Sequence, residues 1–465
     1  MTEFINNILQ KMGVDTIIFY SSLVMCMTLG SYYKKISEVN LKRNFGSGLG
    51  FLVSCLICGT QIYHTVLLVW GNIVIIKCCD RRYLHQISLA YTWMYLFYLH
   101  YYLSHTYVIW IYQTLALRLV GLAFEIHLAH RAKGETRVSV TRVTIGDSDL
   151  ITNDPSAVDI ITYAYFFIGL HKGPYYRWKI FEDHFSSPFA TLGDCRVITE
   201  QKLKKAFLCA LGYMLLRMKY SPEFYYMDEF YTGDYGTDFR YLYNIPQLMT
   251  YFLFYQITML LCTSVCTETG FGIYPAKCVP IPGFGPSARF SLLKVAGGTT
   301  EAAIQEEYNF SMLKCFDHEK LLIGPKMKDS VRSWDMPTRF WFWANVYKTS
   351  LRANKEVRSA WSFFAWTIWC SPTLPQTIIS ATLWVYIHLE SEYGELYDTS
   401  GTMKLPWDIG FSIMRLFCLI YLTPCFIVSD TSVVLRYYNS IYWIFHVILF
   451  ALMVAAIVIY KLRGE

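Results

Sequence analysis

Long apolar runs broken by short polar stretches fill this chain from end to end. The clearest are Val14–Ser31, Gly48–Cys58, Val66–Ile76, Ile87–Leu103, Tyr107–Ile126, Ile160–Leu170, Ala206–Leu216, Leu248–Cys266, Ser362–Ile387, Gly410–Val428 and Ile441–Tyr460. Many approach the ~20 residues a helix needs to cross the hydrocarbon core of a bilayer. In lipid only helices and closed barrels satisfy their own backbone, and the period-2 alternation of a barrel strand is absent, so the runs read as helices. The pattern predicts an all-α, polytopic transmembrane helical bundle of about ten membrane helices. Gly59-Thr60-Gln61 interrupts Gly48–Ile76, which reads either as one long tilted helix or as two short ones.

Two stretches depart from this pattern. Ala132–Val158 is polar, rich in Thr, Ser and Asp, and ends on Asn153-Asp154-Pro155, the composition of an extramembrane loop. Ala276–Val331 opens on Pro280, Pro282, Gly283, Gly285 and Pro286, and passes through Gly297-Gly298-Thr299-Thr300 into Glu301–Glu307, which reads as a short capped helix. Neither stretch is long or apolar enough to bury a core of its own. The organisation expected is therefore a single membrane-embedded domain over residues 1–465, with extramembrane loops near 132–158 and 276–331.

Composition strengthens the membrane reading. Of 465 residues, 54% are hydrophobic and only 16% charged, against roughly a quarter charged in soluble proteins. The net charge of +6 is modest and is gathered in short loops such as Lys34-Lys35, Lys42-Arg43, Arg81-Arg82 and Lys202–Lys205. Such clusters suit the positive-inside rule and anionic headgroups, whereas nucleic acid would want one continuous basic face, so no nucleic-acid partner is expected. Residues 1–13 carry Glu3, Asn6, Asn7 and Lys11 and lack a basic start followed by a small-residue cleavage site, so Val14–Ser31 reads as a retained first helix.

Fourteen cysteines invite a disulfide or zinc reading. Cys55 and Cys58 have metal-like spacing but lie in an apolar run without a second pair, and Cys262 and Cys266 share one helix face. Free Cys packs as a small hydrophobe, and no metal site is expected. Glu125, His127 and His130 near a helix end read as structural or headgroup contacts. Asn309-Phe310-Ser311 matches a glycosylation acceptor, read as unused.

The most distinctive residues lie between Ser333 and Pro372: Ser333-Trp334-Asp335-Met336-Pro337-Thr338-Arg339-Phe340-Trp341, then Trp343-Ala344-Asn345, then Trp361 and Trp366-Thr367-Ile368-Trp369-Cys370-Ser371. Elsewhere stand Leu117–Glu125, Gly173-Pro174-Tyr175-Tyr176-Arg177-Trp178, Gly270-Phe271-Gly272-Ile273-Tyr274-Pro275 and Leu435-Arg436-Tyr437-Tyr438. Taken together and in this order, these segments resemble the membrane-bound O-acyltransferase family, in particular the branch that re-acylates lysophosphatidylinositol. In that branch a Trp-Asn pair opens the first segment and a Trp-His-Gly closes the second. Here Asp335 stands at the Asn position and Cys370 at the His position.

The resemblance implies transfer of an acyl chain from acyl-CoA to a lysophospholipid, most of all lysophosphatidylinositol, at a site in the endoplasmic reticulum membrane. No cofactor is implied beyond acyl-CoA as co-substrate, and the long loop near 276–331 would face the cytosol, where acyl-CoA is found. Asp335 and Cys370 become the catalytic candidates. Tyr175, Tyr176, Arg177, Trp334, Arg339, Trp341 and Trp369 become candidate substrate-binding residues, with Arg177 and Arg339 as phosphate partners because a guanidinium grips phosphate bidentately. Acyl transfer to a hydroxyl needs a base for its proton and stabilisation of a tetrahedral oxyanion. Members of the family that acylate proteins carry Asp where Asp335 stands. The change to Cys370 removes the usual base, leaving Asp335, a thiol nucleophile, His388 or His446 as substitutes. The alternative is a catalytically degenerate member that binds lipid or a partner. A transporter would want paired broken helices or intramembrane charges along a pathway, and the matched segments weigh against it. Trp334, Asp335, Trp341 and Cys370 are expected to converge on one intramembrane cavity.

Overall fold

The computed structural model describes residues 13–463 except 104, 135–150, 152–153, 187–194, 233–234, 290–291, 294–305, 351–352 and 397–400. The capped helix anticipated at Glu301–Glu307 and most of the polar stretch 132–158 lie outside the described residues.

The apolar runs fold as helices, and the only strands among the described residues form a two-residue ribbon pairing Tyr274–Pro275 with Tyr308–Asn309. Among the described residues, six helical segments have the length and hydropathy to cross a membrane: Val14–Lys35, Val39–Cys78, Thr106–Ala132, Thr237–Glu268, Lys404–Ile427 and Ile444–Leu462. The chain is an integral membrane protein. The ambiguity at Gly59–Gln61 resolves into two helices, Val39–Cys58 and Ile62–Cys78, joined by a single 3-10 turn. Further helices, Leu84–Tyr102, Cys195–Lys219, Lys355–Cys370 and Leu374–Leu396, cover most of the remaining apolar runs.

Two expected runs come out differently. Ile160–Leu170 is helical only to Ala164, and the chain then runs irregularly through residues 165–170, with Phe166, Phe167, Ile168 and Leu170 wholly buried. Irregular backbone at membrane depth must be enclosed by protein and must find donors for its carbonyls. Arg118, 1% exposed, supplies them, donating to the carbonyls of Tyr163, Ala164, Phe166 and Ile168 at 3.2, 2.9, 2.8 and 2.5 Å. Ser362–Ile387 is likewise not one helix. The first helix ends at Cys370 and the next begins at Leu374. Pro372 bars its predecessor from the helical region, and Ser371 is accordingly extended at φ −177° and ψ 126°.

The chain divides into two compact units. The first comprises Met1–Lys205, Thr258–Cys315 and Met336–Leu351, and the second Ala206–Ile257, Phe316–Asp335 and Arg352–Glu465. The first is organised around the helix Thr106–Gly134, whose most apolar window is enclosed along its whole length. Against it lies the irregular segment after Ala164, whose turn into Gly173-Pro174 passes through a cis peptide bond. The second unit has an aromatic core of Tyr225, Phe230, Tyr243, Tyr421, Tyr437, Tyr438 and Phe445. Its hydroxyls are paired rather than stranded: Tyr225 donates to Asn244 Oδ1 at 2.6 Å, and Asn244 Nδ2 donates to Tyr437 at 2.6 Å. Polar pairing of this kind lets phenols sit in an apolar interior without a desolvation penalty.

Candidate active site

Asp335 follows two short steps of chain. The helix Met327–Ser333 ends, Trp334 is extended, and Asp335 takes φ +41° before the helix Met336–Trp341 begins. A left-handed backbone is uncommon for a residue with a side chain, and Asp is one of the few that tolerates it at small cost. Strain of this sort persists where surrounding structure imposes it and gathers at functional sites.

Within the second unit, what imposes it can be followed residue by residue. The backbone N–H of Met327 donates to the buried carboxylate of Glu390 at 2.6 Å. Arg415, 1% exposed, donates to the carbonyls of Leu321 and Leu322 at 2.6 and 2.8 Å and to Ser330 Oγ at 2.9 Å. Asp317 N–H closes the loop by donating to the Ser333 carbonyl at 3.1 Å. The segment that delivers Trp334 and Asp335 is therefore pinned by two buried charges, Glu390 and Arg415, and at its Ser333 end by a backbone hydrogen bond.

Trp334 is the hub of an aromatic cluster. It stacks on Tyr251 (centroids 6.0 Å, 10°) and touches Phe252, Tyr255 and Phe316 at 6.1, 5.6 and 4.9 Å, while Tyr251 stacks in turn on Phe426 at 5.1 Å. Tyr251 and Tyr255 are four residues apart on the helix Asn244–Glu268, so their side chains share a face. Their hydroxyls are hydrogen-bonded to each other, and both lie within electrostatic reach of Cys370; Tyr255 reaches Asp335 as well. Trp334, Asp335, Tyr251, Tyr255 and Cys370 are each half-buried. Cys370 is brought there by its place at the last position of its helix, and Thr367, donating to Ser380 Oγ at 2.6 Å, ties that helix to the next. Trp369 is buried beside it.

The substitute bases His388 and His446 are otherwise engaged. His446 has both ring nitrogens in hydrogen bonds, with Thr382 Oγ1 at 3.0 Å and the Tyr421 hydroxyl at 2.7 Å, and His388 packs edge-on to Trp384.

The remaining candidates belong to the first unit. Trp341 is wholly buried there, stacked on Trp93 at 5.3 Å and donating to the Leu117 carbonyl at 2.9 Å. It meets Tyr175 at Gly121, where an added Cβ would stand 2.5 Å from the Tyr175 hydroxyl and 3.0 Å from Trp341 Nε1. Tyr176 is buried, donates to the Ile168 carbonyl at 2.9 Å and accepts the Arg118 guanidinium over its ring at 4.8 Å. Arg177, expected to grip phosphate, is buried, with its guanidinium 3.9 Å over the Phe284 ring and Nε donating to the Phe284 carbonyl at 2.5 Å. Arg339 is half-buried in the helix Met336–Trp341, which is continued by a π-helical stretch, Phe342–Ser350. Trp341 thus takes its place in the interior of the first unit, while Trp334, Asp335 and Cys370 gather in the second. The sequence reading passed over Tyr251, Tyr255, Glu390 and Arg415. Arg415, inside the apolar run Gly410–Val428, is a signal for it, since intramembrane ionisable residues are functional or structural pins by default.

Residues 135–429 match the model of MBOAT, the membrane-bound O-acyltransferase family. The chain belongs to that family. Among its relatives, the membrane-bound acylglycerophosphatidylinositol O-acyltransferase of Drosophila melanogaster is 29% identical over 458 residues, 93% of this chain and 90% of that protein. The enzymes of the same description from Xenopus laevis and Homo sapiens are each 24% identical, over 456 and 439 residues, covering 95% and 91% of this chain and 93% and 90% of theirs.

Proposed function

We propose that this chain is an acyl-CoA-dependent lysophospholipid O-acyltransferase of the endoplasmic reticulum membrane that re-acylates lysophosphatidylinositol to phosphatidylinositol, with acyl-CoA as co-substrate. The observation that carries the reading is the gathering of Asp335 and Cys370 around one aromatic cluster in a chain similar to acylglycerophosphatidylinositol O-acyltransferases along nearly all of its length. Asp335 is the base. Its carboxylate takes the proton of the lysolipid hydroxyl as that oxygen attacks the thioester carbonyl carbon. The tetrahedral intermediate collapses by breaking the C–S bond, and the departing CoA thiolate recovers the proton. A carboxylate beside the attacking hydroxyl can accept its proton as the new C–O bond forms. Cys370 lines the same space without a basic partner being required of it.

The test is an assay of membranes containing the full chain, with labelled acyl-CoA and lysophosphatidylinositol beside lysophosphatidylcholine, lysophosphatidylserine and lysophosphatidic acid. Preferred acylation of the inositol lipid is expected. Asp335→Ala should reduce turnover by about 10²–10⁴-fold, the usual contribution of general-base catalysis. Cys370→His, which returns an imidazole to the site, should raise turnover above the wild type. Absence of transfer to every lysolipid by the wild type, with Cys370→His equally silent, would instead make the chain a lipid-binding member that has lost catalysis.

A further inference from the structure

The helix Ile62–Cys78 closes the membrane-spanning stretch Val39–Cys78 of the first unit. Its rotation is fixed by Asn72, which is buried, donates to Thr92 Oγ1 at 2.9 Å and accepts from Ser88 Oγ at 2.6 Å on the helix Leu84–Tyr102. The other face points out of the protein. It carries Tyr63, Val66, Leu67, Trp70 and Val74, all exposed, at the three- and four-residue spacing of one helix face. Apolar side chains turned outward on a spanning helix meet lipid. Four residues beyond Val74 the same stripe ends on Cys78, the last residue of the helix. Of fourteen cysteines it is the one that is exposed, the others being buried or half-buried. Cys79 follows directly, half-buried, with its N–H donating to the Ile75 carbonyl at 3.0 Å.

The thiol pair stands on a basic surface. Lys77 Nζ donates to the Pro155 carbonyl at 2.7 Å, Arg81 pairs with Asp154 at 2.6 Å, and Arg82 is exposed beside them. A few residues on, Asp159 holds Arg43, near the start of Val39–Cys58, at 3.1 Å. The outer ends of Val39–Cys58 and Ile62–Cys78 therefore open on one side of the membrane, and that side gathers the lysines and arginines. By the positive-inside rule it is the cytosolic side, where acyl-CoA is found.

We propose that the Cys78-Cys79 pair is an S-acylation site, at which Cys78 accepts a long fatty acyl chain that then lies in lipid along Val74 and Trp70. A cysteine beside a membrane span is the common acceptor of such a chain, and here exposure, lipid-facing direction and a cationic flank for the CoA phosphates coincide at one thiol. In the step, the Cys78 sulfur bonds to the carbonyl carbon of a long-chain acyl-CoA. The bond from that carbon to the CoA sulfur breaks, and the proton of the Cys78 thiol leaves with CoA as its free thiol. One thioester replaces another, so no oxidant or reductant is needed. The modification is independent of the acyl transfer to lysolipid proposed above, and a chain inactive toward every lysolipid would still carry it.

The experiment expresses the full chain in eukaryotic cells and reads thioesters by exchange. Free thiols are blocked, thioesters are cleaved with neutral hydroxylamine, and the thiols released are tagged with maleimide-linked polyethylene glycol. A hydroxylamine-dependent rise in mass by one tag is expected for the wild type, lost in Cys78→Ser and kept in Cys79→Ser. Feeding an alkynyl analogue of palmitate should label the same proteins in the same order, which identifies the group as a fatty acyl chain. Absence of the mass shift in the wild type, a shift that survives Cys78→Ser, or a shift without incorporation of the fatty acid overturns the assignment. Loss of the shift in Cys370→Ala, with Cys78→Ser unaffected, overturns it too and traces the thioester to Cys370. Cys78 is exposed, so its serine variant should reach the membrane at the wild-type level; if it does not, Cys78→Ala repeats the comparison, and a shift retained there overturns the assignment.

Discussion

The Gly173–Trp178 segment of the first unit and the Trp334–Asp335 turn of the second read alike in sequence, each a run of aromatics beside a charge, yet they are built for opposite ends. Tyr175, Tyr176 and Arg177 are buried, and the Tyr176 hydroxyl and Arg177 Nε each donate to a backbone carbonyl. Around Asp335 the backbone is left-handed and the side chains of Trp334, Asp335, Tyr251 and Tyr255 are half-buried. A motif rich in Tyr and Arg therefore need not touch substrate. In the first unit Tyr176 and Arg177 hold backbone carbonyls, and in the second the pinning falls to Glu390 and Arg415.

The comparison breaks most visibly at Arg118. Arg118→Met keeps length and apolar packing but removes a donor from four buried carbonyls, of which Ile168 keeps the Tyr176 hydroxyl and Tyr163 keeps the Phe166 N–H, while Ala164 and Phe166 lose the guanidinium. Each stranded carbonyl costs about 1–3 kcal/mol, so the first unit should be strongly destabilised in detergent, read as a large fall in its thermal transition and loss of the monodisperse peak on size exclusion. A variant that stays folded would show that the segment after Ala164 does not depend on this residue. A smaller effect is expected at Tyr176. Tyr176→Phe removes one neutral hydrogen bond, and its acceptor, the Ile168 carbonyl, still receives Arg118. The loss should be about 1 kcal/mol of stability with kcat unchanged. A fall in kcat as large as that of Asp335→Ala would erase the distinction between the regions.

The smallest effect lies at the surface of the first unit. Asp159 closes a capping box with Ser156 and pairs with Arg43 at 3.1 Å, both side chains partly exposed. Partial burial raises its carboxyl, but the Ser156 hydrogen bonds, with Arg43 and Lys77 nearby, outweigh that and hold it below the usual carboxylate range. A carboxyl depressed in the folded state adds stability above its unfolded pKa, and that stability is lost as pH falls through the folded value. Arg43→Ala should lower stability at neutral pH by less than about 1 kcal/mol, and the difference from wild type should vanish in acid. A difference that persists or grows in acid would place the effect elsewhere.

Hydrophobic runs alone determined that this chain spans a membrane as helices, because a helix is the one linear structure that satisfies its backbone in lipid. The spacing of Trp, Gly, Pro and Arg segments determined the family, and the Asp and Cys in them marked where the chemistry would depart from the usual histidine. Tertiary structure alone decided the rest. That Ile160–Leu170 is irregular depends on Arg118, forty and more residues away in sequence, supplying its carbonyls with donors. That the run Ser362–Ile387 breaks was written in Pro372, but that Thr367 ties the two resulting helices together through Ser380 was not. Tyr251 and Tyr255 read in sequence as two more aromatics in an apolar helix; their relation to Asp335 arises only when a different segment, pinned by Glu390 and Arg415, is folded against that helix. Local pattern fixes what a segment can be, since backbone hydrogen bonds are short-range, whereas the partners of a side chain are set by which distant segments pack against it.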